Sequence, residues 1–220
     1  MKNSLLFFLI PFLICINATT KAQVEAPKTL FSSTAEEHFG WYLSPSINSH
    51  FFSQDIQSPS TLLAGGQMGI VLHRSFLIGF GGSGTIRSAK FSADYPQWDQ
   101  NGMLLHNKHP MGLGYGFGGL YLAYIHNSNE AIHLVFPVFL GFGSSNEYEI
   151  EADGDHGTTI NSPGFTLIEP GLGIELNLQT SFRLFLGMSY RWVDHSKFEQ
   201  LPNGALNGIS LKIAFKTGKF

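Results

Sequence analysis

From Phe39 onward apolar side chains recur at every second position, the period of a strand whose two faces meet different surroundings. Phe39, Trp41, Leu43 and Ile47 alternate with Gly40, Tyr42, Ser44, Ser46 and Asn48. Ala64, Met68, Ile70 and Leu72 alternate with Gly65, Gln67, Gly69 and His73, and Phe76, Ile78, Phe80 and Ile86 with Gly79, Gly81, Ser83, Thr85 and Arg87. A fourth stretch sets Leu113, Tyr115, Phe117, Tyr121 and Ile125 against Gly112, Gly114, Gly116, Gly118, Tyr124 and His126, and a fifth gathers Ile132, Leu134, Phe136, Val138, Leu140 and Phe142. In the sixth, Ile168, Leu172, Ile174, Leu176 and Leu178 oppose Glu169, Gly171, Gly173, Glu175 and Asn177. The seventh opposes Phe182, Leu184, Leu186, Met188, Tyr190 and Trp192 to Arg183, Phe185, Gly187, Ser189 and Arg191, and the last opposes Ile209, Leu211, Ile213 and Phe215 to Gly208, Ser210, Lys212 and Lys216. Each stretch has about the 9 to 11 residues that a tilted strand needs to cross a bilayer.

The joins between these stretches alternate in length. Short ones fall near Arg74-Ser75, Asn127 to Glu130 and Gln179 to Ser181; long ones span Phe52 to Thr61, Ser88 to Pro110, Ser144 to Pro163 and Asp194 to Ala205. Short turns on one side and long loops on the other are the habit of transmembrane barrels. The pattern predicts an all-β, closed antiparallel transmembrane β-barrel of about eight strands, with the short turns and both mature termini periplasmic. Pro45, Pro137 and Pro170 lie inside proposed strands, and local bulges are the expected accommodation.

Composition sharpens this. Only 13% of residues are charged while 43% are hydrophobic, with 25 Gly and 20 Phe, against about 25% charged in ordinary soluble domains. The apolar run Leu5 to Ile16 follows Lys2 and precedes the small-residue site at Ala22, and no later run is long enough to span as a helix; these parts predict a signal peptide over 1–22, a short periplasmic leader over 23–36 and a barrel over 37–220. Cys15 lies in the segment removed, so no disulfide supports the mature fold. A net charge of −3 and scattered basic residues give no nucleic-acid footprint.

The face that is not apolar is rich in Gly and Ser with sparse charges of both signs, as a narrow lumen selects; a soluble sandwich would put Lys, Glu and Thr there. A turn centred on Thr180 places Glu169 opposite Arg191 and Asn177 opposite Arg183. The expectation is a polar network plugging the lumen, built from Glu169, Glu175, Arg183, Arg191, Lys212 and Arg87. Trp41, Tyr42, Phe76, Tyr190, Trp192 and Phe215, near strand ends, suit interfacial girdles.

As a pattern over residues 37–220, the chain resembles the small outer-membrane β-barrel domain family typified by the OmpA transmembrane domain. The resemblance implies outer-membrane anchoring, a structural or surface-binding role and no cofactor. His126-Asn127-Ser128-Asn129 also resembles the His-x-Ser-Asn motif of outer-membrane lipid A deacylases, in which a His activates a Ser for acyl-ester hydrolysis. That carry-over makes His126 the base, Ser128 the nucleophile and Glu130 a third member; a plain Asn/Ser turn is the competing reading.

Other candidate chemistry is thinner. Gly114 to Gly119 matches a dinucleotide-loop pattern by letter, but the alternation runs on where a helix is needed. His106 and His109 are too few for a metal centre, so no metal is assigned. Glu147, Glu149, Glu151, Asp153 and Asp155 form an acidic loop suited to weak cation contact or to plain solvation. The segment 88–110 carries Phe91, Tyr95, Trp98, Met103 and Leu104, an apolar load that suits contact with a protein partner. The expected partners are outer-membrane lipid and lipopolysaccharide, and a protein reached through the loops. A lipid hydrolase, a narrow channel and a secreted lipocalin-like barrel are the competing functions.

Overall fold

The computed structural model describes residues 39–53, 58–98, 104–150, 156–194, 198, 201 and 204–220; the expected signal peptide and leader lie outside them. Among the described residues there are ten strands: β1 (Phe39–Phe52), β2 (Ser60–Leu72), β3 (Phe76–Arg87), β4 (Ala89–Trp98), β5 (Leu104–His126), β6 (Ile132–Ile150), β7 (His156–Asn161), β8 (Gly164–Gln179), β9 (Phe182–Asp194) and β10 (Gly208–Lys219). Eight of them close the ring β1-β2-β3-β5-β6-β8-β9-β10, every neighbour antiparallel, with β5 pairing β6 and β1 pairing β10. The architecture is an all-β closed barrel of eight strands.

The remaining two strands correct the expected loops. β4 continues β3 past Ser88 and stays paired with β5 from Ala89↔Leu113 to Trp98↔Leu104. β7 leads into β8 across Ser162-Pro163 and pairs with the far end of β6. Segments read as loops from Ser88 and Ser144 are therefore hairpins, because backbone pairing is satisfied as readily by continuing a ladder as by leaving it. β5 reaches 23 residues and β6 19, well beyond the bilayer requirement.

Outside the ring the apolar phase is as read on seven of the eight stretches: Trp41, Met68, Phe80, Phe142, Ile174, Met188 and Ile213 all stand exposed. Phe80 and Phe142 are the extremes, at 70% and 72%. β5 departs from this. Leu113, Tyr115, Tyr121 and Ile125 point inward and are buried, while Gly114, Gly116 and Gly118 turn outward, with nothing closer than 3.5 Å to an added Cβ; Gly112 is instead covered by Tyr148. Tyr42 also departs, being buried in the lumen instead of joining an outer girdle. Its hydroxyl would lie 2.7 Å from a Cβ at Gly79, so the glycine there makes room for the phenol.

The three strand prolines do not produce bulges. Leu43↔Thr217 and Ser46↔Ala214 keep one register across Pro45, and Val135↔Gly173 and Val138↔Pro170 keep one across Pro137. Ile168↔Trp192 and Gly171↔Ser189 do the same across Pro170. In each case the ladder is interrupted toward one neighbour only, while Pro45 stays paired with Gly66 and Pro137 with Ala123. A residue that lacks one N–H needs one gap in one ladder, and no extra residue.

Candidate functional site

The barrel interior is built in layers, read from the short-turn end upward. At the bottom, the ring of Phe220 caps the Arg183 guanidinium at 3.9 Å. Above it sits Glu175, fully buried: Arg183 Nη1 donates to its Oε1 at 3.1 Å, His133 Nε2 lies 3.2 Å from the same oxygen, and Lys216 Nζ donates to Oε2. Arg183 and Lys216 are each 1% exposed. His133 reaches back to the turn carbonyl of Glu130 through Nδ1 at 3.3 Å. Asn177, paired with Arg183 across β8 and β9, donates to the same carbonyl at 2.7 Å and so ties the turn to the lumen floor.

One layer higher, Arg191 Nε donates to Glu169 Oε2 at 2.8 Å, and Nη1 donates to the Tyr115 hydroxyl at 3.0 Å. Ser189 occupies the other carboxylate oxygen, Oε1, at 2.6 Å. The guanidinium lies 4.5 Å from the centroid of Phe117. Between the two carboxylates Lys212 sits 5.6 Å from the Tyr121 ring and borders a cavity of ≈ 40 Å³. These two layers hold ionised groups because Glu169 and Glu175 each accept at both carboxylate oxygens; a buried charge left unpaired is far more costly.

The top is apolar. Leu63, Ala89, Phe91, Met111, Leu113, Phe165, Leu167 and Leu206 form a buried cluster inside the hairpin extensions. Phe91, expected as a surface contact, is 2% exposed and belongs to this plug. It packs inward because β4 keeps the barrel phase beyond Ser88. Met103 lies outside the described residues, as do the side chains of Tyr95 and Trp98.

Of the residues expected in the lumen network, five line the interior and Arg87 does not. Arg87 is exposed, since the irregularity between Leu62 and Leu63 shifts the phase at the end of β3. Lys216 and His133 were missed by that reading, although Lys216 shares the phase of Lys212 and His133 precedes the outward Leu134. His126 is exposed at the end of β5, and its described contact is the Tyr124 ring at 6.4 Å. Asn127 takes φ 56°, the left-handed region that Asn tolerates in turns. Among the described residues His126 and Ser128 share no hydrogen bond; Ser128 offers its carbonyl to Asn177 at 3.4 Å.

Such a filled lumen predicts electrical silence. In planar bilayers the protein is expected to give no steady porin-sized conductance, because an eight-stranded interior is just wide enough for its own side chains. Sustained open steps would contradict the packing above.

No family model matches the chain, and no curated protein matches it in sequence. Among solved structures the chain is similar to Neisserial surface protein A, at a TM-score of 0.50 and 9% identity, covering 84% of this chain and 98% of that one. It is also similar to the outer membrane protein OprG from Pseudomonas aeruginosa, at a TM-score of 0.49 and 11% identity over 89% and 99% of the two chains. For Ail of Yersinia pestis the values are 0.42 and 11%, over 83% and 99%. The first likeness is one of fold, that of the small eight-stranded outer-membrane β-barrels.

Proposed function

We propose that the chain resides in the outer membrane, short turns and termini toward the periplasm, and serves as a non-enzymatic anchor presenting its hairpin extensions to partners outside the cell. The carrying observation is the sheet β4-β5-β6-β7, which goes on pairing where the rest of the ring has ended. A chain needing only to span a bilayer has no use for a strand of 23 residues. Ladder-paired hairpins also hold a binding surface at lower entropic loss than loose loops of the same length. The plug of Phe91, Met111 and Leu113 beneath them supports the same reading, since it gives the sheet a rigid base.

The test is a truncation. Replacing residues 93–109 by Asn-Gly joins Ser92 to Pro110, which already face each other, through a turn suited to hairpins. The shortened protein is expected to fold and to show unchanged heat-modifiable migration, while losing adhesion of whole cells to host surfaces or matrix. Loss of folding, or adhesion equal to the intact protein, would remove this assignment.

A further inference from the structure

We infer that the chamber beside Lys212 binds a small monovalent anion of the chloride class. The middle of the lumen contains two carboxylates, Glu169 and Glu175, against four basic side chains, Arg183, Arg191, Lys212 and Lys216. Glu175 is shared by Arg183 and Lys216, and Glu169 is taken by Arg191 and Ser189. Lys212 is the basic residue left over: among the described residues it forms no ion pair within 4 Å, it stands over the face of Tyr121, and its counter-charge across the cavity, Glu169, is already held by Arg191 and Ser189. Two carboxylates against four basic side chains leave this layer with an excess of positive charge, so an anion drawn from solution is the simplest compensation.

The chamber suits such a guest. Its volume of ≈ 40 Å³ holds about three water centres, enough for one halide with a water. Asn48 Nδ2 donates to Ser83 Oγ at 3.1 Å, which leaves the Ser83 proton free to turn toward the chamber. The buried Gln67 amide lines the same wall. Glu169 also borders the space, but both its oxygens already accept bonds, and the adjacent Arg191 offsets its charge. A cation is excluded there by the positive charges of Lys212 and Arg191. This inference stands apart from the role of the hairpins, since it concerns only the lumen.

Bromide can replace chloride as the probe, with the full barrel as the sample. Crystals grown in bromide are expected to show an anomalous peak in the chamber within hydrogen-bond distance of Lys212 Nζ, lost in Lys212→Met. In solution the thermal midpoint of the wild type is expected to be higher in chloride than in gluconate at equal ionic strength, with Lys212→Met indifferent to the exchange. Ser83→Ala is expected to raise the half-saturating chloride concentration about fivefold. Equal midpoints of the wild type in both salts would overturn the inference and indicate an uncharged Lys212 amine; so would a chamber without bromide, or a halide response that survives in Lys212→Met. The wild-type comparison decides the matter even if Lys212→Met does not fold.

Discussion

Replacing Glu175 by alanine is expected to remove about 3–5 kcal/mol of stability, or to prevent assembly of the barrel altogether. Glu175 is fully buried and accepts from Arg183 and Lys216 while facing His133. Removing it leaves two basic side chains in the floor of the lumen with no carboxylate between them, and a cavity where the carboxylate stood. Among the described residues Arg183 then keeps the face of Phe220, a partner worth about 2 kcal/mol or less. A urea titration of the protein in lipid vesicles reads the loss as a lower unfolding midpoint. The companion Glu175→Gln keeps the shape and two donor contacts, so it is expected to fall between wild type and alanine. A Glu175→Ala protein as stable as the wild type would mean that the cluster is solvated and that the lumen is not sealed.

The second large effect belongs to the opposite face. Ile213, at the centre of β10, stands 52% exposed between Ile47 and Leu186 on the neighbouring strands. Ile213→Lys is expected to destabilise the folded protein by about 2–4 kcal/mol if this position lies near the bilayer midplane. Its neighbour Lys212 is already a lysine, yet one step of a strand turns a side chain from one face to the other. The same charge is thus tolerated inside and rejected outside. Equal stability of wild type and Ile213→Lys in vesicles would show that this face meets water.

Much of this was legible from alternation alone, and the exceptions have physical reasons. Where one face carries Ile, Leu and Phe and the other Gly, Ser and ions, as in β9 and β10, the phase settles the orientation. β5 carries aromatics on one face and glycines on the other, neither of them charged, so the phase does not say which side meets lipid. The structure turns Tyr115 and Tyr121 inward, where the Tyr115 hydroxyl accepts from Arg191 and the Tyr121 ring faces Lys212. The extended hairpins were hidden because their sequences carry turn-like polar residues; only pairing with β5 and β6 reveals them as strands. Phe91 was displaced from surface to plug by that same continuation.

The lumen floor was partly legible. Glu169, Glu175, Arg183 and Arg191 share a phase that any alternating reading exposes, and the short turn at Thr180 folds the two strands that carry them against each other. Lys216 could have been added by phase alone. His133 could not, because its role depends on β6 lying beside β8 with His133 opposite Glu175, a pairing between strands that are not joined by a short turn. Arg87 illustrates the reverse: the phase places it inside, and one irregularity in the ladder puts it out.

The central claim is that the apolar faces of these strands meet acyl chains while the ion pairs fill the lumen. Spin labels on single cysteines test it most directly, at Phe80→Cys and Ile213→Cys for the outer face and at Gln67→Cys and Ser210→Cys for the inner one. In vesicles the outer labels are predicted to collide with oxygen, which concentrates in the acyl region, far more than with a water-soluble nickel chelate, and the inner labels to be shielded from both. Outer labels that meet the nickel chelate more readily than oxygen would contradict it.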